Sequence, residues 1–156
     1  MTREDLEHLI CAAATISDED EIVVIGSQAV LASFPNAPPE MLLSMEADMY
    51  PRHDPARAEL FAGVLGEGSP FHDMNGYYAE AVGRERRAVG WCLEIHDLVA
   101  AKCAARRDRD WQYAKAAVAN ALVERDVLWQ RAQTLPLAQA HLEYVLHVLG
   151  GVLGRR

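Results

Sequence analysis

Basic charge is scarce in this chain. Its 156 residues carry 15 Lys and Arg against 23 Asp and Glu, a formal net charge of −8. That balance excludes broad electrostatic binding to nucleic acid and leaves room only for a local basic patch. Cysteine is scarce as well. Cys11, Cys92 and Cys103 are an odd set without C-x-x-C spacing, which argues against a disulfide framework or a zinc site and for reduced thiols in a cytoplasmic protein. The charged start Met1-Thr2-Arg3-Glu4-Asp5 leads into no long apolar segment, so neither a signal peptide nor a membrane span is expected. Internal repeats and low-complexity tracts are lacking too, apart from a bias toward Ala and toward Arg over Lys.

What is present is a composition 51% hydrophobic, enough for one domain with a real core and too little chain for two generous ones. The stretch from Ile22 to Tyr50 organises the rest. Ile22 to Ile25 is a short β-branched run that stops at Gly26-Ser27, and Gln28 to Phe34 has helical composition, so the reading is strand, turn, helix. Pro35, Pro38 and Pro39 end that helix. Leu43, Met45, Ala47 and Met49 then alternate with Ser44, Glu46 and Asp48, the pattern of a second strand. Side chains two apart on a strand point the same way, so Glu46 and Asp48 would share a face on which two carboxylates can hold a divalent cation.

Upstream, Thr2 and Asp5 make a capping box for a first helix with Leu6, Leu9, Ile10 and Ala13 as its apolar stripe. The acidic run Asp18 to Glu21 reads as a solvated turn. Downstream, Asp54-Pro55 starts a helix that Gly66 and Gly68 end, and Asn75-Gly76 leads into a third strand, Tyr77 to Val82, whose partner would be Ala88 to Leu93. From Glu94 the pattern is helical. Leu98, Ala101, Lys102 and Ala105 form one stripe, and helices follow at Trp111 to Val123, Val127 to Gln133 and Leu137 to Leu149, with Gly150, Gly151 and Gly154 suggesting a frayed end. The fold expected is α/β: a small mixed sheet of about four strands flanked by helices, with a C-terminal helical bundle, in a single domain.

These motifs carry a resemblance. The Gly26-Ser27 turn, the Glu46-x-Asp48 strand, the run Gly68-Ser69-Pro70-Phe71-His72 to Gly76-Tyr77-Tyr78, and Asp97-Leu98, Lys102 and Arg107-x-Arg109-Asp110 resemble a bacterial branch of the DNA polymerase β-like nucleotidyltransferase superfamily. The likeness spans roughly residues 20 to 125. It implies a nucleotidyltransferase-like α/β core over residues 1–93 and a helical cap over 94–156. It also implies a protein that binds a nucleoside triphosphate with Mg²⁺ or Mn²⁺ and transfers a nucleotidyl group to RNA or protein. Some relatives of this kind are toxin halves of toxin–antitoxin pairs. The first acid of the pair is Glu46 rather than Asp, and the helix after Gly26-Ser27 runs into a Pro-rich loop. The alternative is therefore a catalytically inactive member that works as a protein-binding module, for example with an antitoxin or toxin partner or as a homodimer.

On this reading Gly26, lacking Cβ, lets a phosphate approach the backbone, and Ser27 supplies N–H and hydroxyl donors. Glu46 and Asp48 hold the metal and are the catalytic acids, and the resemblance implies a third carboxylate, for which Glu80 is the best candidate. Lys102 and Arg107 would bind the triphosphate from the helical side, and Asp110 would orient Arg107 or serve as a base. Each assignment has a plainer competitor. Gly-Ser suits any strand-to-helix connection, and an edge strand can show a wet acidic face, although adjacent acids repel there. Lys102 can be a surface lysine and Arg106 to Asp110 a solvated charge mesh. His53, His72 and His96 read as loop or cap residues, His141 and His147 as packing or interface positions, and Trp91, Trp111 and Trp129 as core anchors.

Overall fold

The computed structural model describes residues 1–44, 46–60 and 88–155. The fold is α/β, and the chain divides into two compact units, Met1–Asn36 with Ser44–Leu93 and Ala37–Leu43 with Glu94–Arg156.

Among the described residues, the first unit is built on a sheet with α1 (Arg3–Ser17) packed against it. Helix α1 (Arg3–Ser17) begins as its capping box dictates: the Thr2 hydroxyl accepts from the Asp5 N–H at 3.2 Å and the Thr2 N–H donates to the Asp5 carboxylate at 2.6 Å. Its stripe of Leu6, Leu9, Ile10 and Ala13 is buried. Asp18 ends it in the left-handed region at φ 55, a conformation a short polar side chain tolerates. Among the described residues, strand β1 (Glu21–Val24) is the centre of a three-stranded sheet of order β2-β1-β3, antiparallel to β2 (Met49–Pro51) and parallel to β3 (Val89–Cys92). Ile22 and Val24 are fully buried, whereas Ile25, Val89 and Trp91 remain about half exposed on the other face. Trp91 is therefore not the core anchor its apolar context suggested. Register explains it: Trp91 pairs with Val23, not with Ile22 or Val24, and side chains alternate across the strand.

The expected strand from Leu43 to Tyr50 is shortened to Met49–Pro51. Local bonding outcompetes the ladder: the Ser44 hydroxyl accepts from the Glu46 N–H at 3.2 Å, and the buried Gln28 amide donates to the Ser44 carbonyl. Strand alternation therefore does not place Glu46 and Asp48 on a common face. The 3₁₀ turn Ser27–Ala32 occupies the position of the helix expected over Gln28 to Phe34. The third strand expected at Tyr77 to Val82, and the glycines at 66, 68 and 76, lie outside the described residues.

The second unit contains four helices, α2 (Ile95–Ala105), α3 (Asp108–Ala119), α4 (Arg125–Gln133) and α5 (Gln139–Leu153), with Met41 of the 3₁₀ turn Pro39–Met41 buried in the same unit. Leu98, Val99, Cys103, Ala114, Ala117, Leu128, Val145 and Leu149 form its core. The C-terminal end is not frayed as its glycines suggested. Helix α5 runs through Gly150 and Gly151, Gly154 caps it at φ 71, and the Arg155 N–H donates to the Gly150 carbonyl at 2.8 Å. Arg125 donates to the Leu153 carbonyl at 3.0 Å, and Arg155 pairs with Asp126 and lies over Trp129 at 5.1 Å.

Candidate functional site

In the first unit the end of β1 turns sharply at Gly26, which is buried and extended at φ −72 and ψ −177 before the 3₁₀ turn begins. That φ is open to any residue, so the need for glycine here is one of space. A Cβ built on Gly26 would stand 2.4 Å from Asp48 Oδ2 and 2.9 Å from the Asp48 backbone nitrogen. The Ile25 N–H donates to the Asp48 carbonyl at 2.9 Å and locks the two segments side by side. Two motifs 22 residues apart in sequence are thus in contact. Ser27 follows half-buried at the head of the 3₁₀ turn, and Asp48 and Glu46 are exposed. Glu80 lies outside the described residues.

A cavity of about 560 Å³ adjoins this turn, lined among the described residues by Ile25, Asp48, Met49, Tyr50, Pro55 and Ala58. In the same unit, Gln28 is fully buried, and its Oε1 has no hydrogen-bond partner among the described residues. Two exposed carboxylates are hard oxygen donors of the kind Mg²⁺ accepts, since that ion binds through one or two carboxylates and completes its shell with water and substrate phosphates. Among the described residues, no three His, Cys, Asp or Glu side chains gather into a metal-holding group.

The sheet also carries a cluster that sequence reasoning missed. Glu21, read as part of a solvated acidic turn, accepts from Arg52 and from Trp91 Nε1, the latter at 2.6 Å, and lies 3.4 Å from His53 Nε2. The Arg52 guanidinium stacks over the Trp91 ring at 4.4 Å. The Arg52 hydrogen bond, then that of Trp91, holds the Glu21 carboxyl below its usual range. Only register could have revealed this: Ile22 pairs with Pro51 on one side and Gly90 on the other, and neither pairing is written in local sequence.

In the second unit, Lys102, Arg107 and Asp110 come together. Arg107 Nε donates to Asp110 Oδ2 at 2.6 Å and Nη2 to Oδ1 at 3.3 Å, while Lys102 Nζ lies 3.7 Å from Oδ1 and 5.5 Å from the centre of the Tyr113 ring. Asp110 is 1% exposed, so this is a buried carboxylate between two cations and not the solvated mesh the plainer reading expected. Of the two roles weighed for Asp110, the geometry displays the orienting one, a forked grip on a half-exposed guanidinium. Burial, and secondarily the charge of Asp110, push the neighbouring Cys103 thiol up to about 12, so it stays protonated. His96, expected as a loop or cap residue, serves as a cap: its Nε2 accepts from the Glu124 N–H at 2.9 Å, ahead of α4, and its Nδ1 lies 2.6 Å from Glu94 Oε1.

Comparison with protein-family models, with curated proteins and with solved structures gives no match.

Proposed function

We propose that this protein binds a nucleoside triphosphate with Mg²⁺ at the Gly26–Asp48 contact and transfers a nucleotidyl group to a hydroxyl of RNA or protein. The observation that carries the reading is that contact itself. A side-chain-free turn presses against an exposed carboxylate so closely that a methyl group would collide with it. The space that glycine leaves is taken by Asp48, so the arrangement suits a seat in which a metal held by Asp48 and Glu46 meets phosphate oxygens beside the half-buried Ser27. When bound, the metal would neutralise the leaving pyrophosphate and acidify the attacking hydroxyl. The chain's own contribution is to hold Asp48 against the turn through the Ile25–Asp48 bond. Arg107, gripped by Asp110, and Lys102 supply a net positive cluster in the second unit that suits anion recognition.

A second reading has its own support. Ile25, Val89 and Trp91 expose apolar surface on the sheet, which is what a non-catalytic protein-binding module in a toxin–antitoxin pair would use. The two are separated by incubating the protein with each α-labelled triphosphate, Mg²⁺ and total RNA. Label transferred by the parent and lost in Asp48→Asn supports the enzyme. Absence of triphosphate binding at millimolar concentration overturns it.

A further inference from the structure

The cavity beside Asp48 begins where the phosphate seat ends. Ile25 directly precedes Gly26 and Met49 directly follows Asp48, and both line it together with Tyr50, Pro55 and Ala58, around about 560 Å³. Small-molecule sites run from ~300 to ~1,000 Å³, so the space suits a ring system rather than a single water or ion. Its described lining is apolar or aromatic except for one carboxylate, and contains no cation. The depression is open to solvent, so an anionic phosphate gains nothing there, whereas a flat, uncharged ring laid against it covers one face and meets Tyr50. Orientation follows from the proposed reading: phosphates beside Ser27 at the metal that Asp48 would hold, ring in the cleft.

Resting on the nucleotide reading above, we infer that this cleft seats the nucleobase and that it discriminates poorly among bases. Ile25, Met49, Pro55 and Ala58 offer no side-chain donor or acceptor to read a base edge. The Tyr50 hydroxyl both donates and accepts, so it suits either kind of edge. Asp48 is committed to the metal. Apolar walls separate ligands by buried area alone and cannot strongly reject a close analogue. Purines should therefore bind somewhat more tightly than pyrimidines, with little difference inside each pair.

The test is equilibrium binding of the full chain to the Mg²⁺ complexes of ATP, GTP, CTP and UTP, with inorganic tripolyphosphate as the probe that lacks a base. The expected result is ATP and GTP within ~3-fold of one another, CTP and UTP likewise, purines ahead by ~3- to 10-fold, and tripolyphosphate weakest, in keeping with sequence-tolerant stacking. Ala58→Phe, which fills the cleft, and Ile25→Ser, which removes a wall from an exposed position, should weaken all four nucleotides by ~10-fold and leave tripolyphosphate unchanged, because neither alters charge. Preference for one base beyond ~100-fold would overturn the base seat while the phosphate site stands, since that much needs hydrogen-bond readout. So would tripolyphosphate binding as tightly as the nucleotides, or folded variants that bind nucleotides like the parent. Should a variant fail to fold, the parent panel alone decides. Failure of all five probes, tripolyphosphate included, would remove the nucleotide reading and the base seat with it.

Discussion

Replacing Gly26 by Ala tests the central contact. Because Gly26 sits at φ −72, alanine meets no backbone strain there, and the whole effect must come from the added methyl. That methyl would stand 2.4 Å from Asp48 Oδ2, 3.0 Å from its Cγ and 2.9 Å from its backbone nitrogen. Ordinary contact needs about 3.5 Å; the exposed carboxylate can rotate aside, but the Asp48 backbone nitrogen must retreat by about 0.6 Å. Overpacking of this kind costs about 1–3 kcal/mol, and the Ile25–Asp48 hydrogen bond, which the retreat would stretch, contributes up to about 1 kcal/mol more. At roughly 2–4 °C per kcal/mol for a chain of this size, Tm should fall by roughly 5–15 °C in a thermal melt. Asp48→Gly in the same background removes the side-chain clashes but leaves the backbone nitrogen in place, so it should restore only part of the loss. Gly151→Ala is the control: nothing lies within 4 Å of its Cβ, and inside α5 it should gain up to about 1 kcal/mol of helix propensity. A Gly26→Ala protein that melts with the parent would refute the contact and the site built upon it.

Further outcomes follow from the other clusters. Excess Mn²⁺ at ~100 times Kd should raise Tm by the equivalent of about 2.7 kcal/mol, and Asp48→Asn should abolish the shift; equal melting curves with and without metal would remove the metal site. Asp110→Asn should cost about 3 kcal/mol or more by urea unfolding, because it removes the buried charge that faces both Lys102 and Arg107; a loss under about 1 kcal/mol would show the cluster to be as weak as a surface pair. Glu21 titrates below its ordinary value in the folded protein, so its contribution to stability is present above the unfolded pKa, near 4.5, and fades as pH falls through the lower folded value. The Tm difference between parent and Glu21→Gln should accordingly be visible at neutral pH and close in acid; a difference independent of pH would contradict the ionic origin.

The fold class was legible because most of its signals are local. The Thr2–Asp5 box, the β-branched run at Ile22 and the helical stripes after Glu94 depend on neighbours within a few residues, and each stands as an element in the structure. The sheet's reading failed where a side chain competed with the backbone. Alternation from Leu43 to Tyr50 says strand, but Ser44 turns the chain back on Glu46 and Gln28 takes the Ser44 carbonyl. Of Gly26, Ser27, Glu46 and Asp48, the pair Gly26 and Asp48 does meet, although for a different geometric reason than two acids on one strand face. Lys102, Arg107 and Asp110 were visible as spacing, yet the burial of Asp110 was not, since a charge run on a helix normally faces water. Glu21, Arg52 and Trp91 gave no signal at all, because strand register alone brings together residues 31 and 70 positions apart.

That last cluster bears on how the first unit can hold a phosphate. Its described arginines are Arg3, Arg52 and Arg57, and each has an acidic partner: Arg3 pairs with Glu7 at 2.8 Å, Arg52 with Glu21, and Arg57 with Asp54 at 3.3 Å. Arg52 is held further by its stack on Trp91, and Arg57 by the Ser17 carbonyl at 2.5 Å. None of the three lines the described wall of the cavity, where Asp48 is the charged residue. Bringing a triphosphate to the Gly26 turn without a metal would therefore set several negative charges against Asp48 and Glu46 with no described arginine of that unit uncommitted, and at ~4 Å each such pair costs about 1 kcal/mol even in bulk water. A divalent cation reverses the sign of that sum, because both acids then become reasons for the phosphates to stay. The apolar cleft can contribute affinity for a base, but it cannot offset that repulsion. On the proposed reading, nucleotide binding at this turn would therefore be conditional on the metal, and the acidity that argued against nucleic-acid binding for the chain as a whole would make the condition strict.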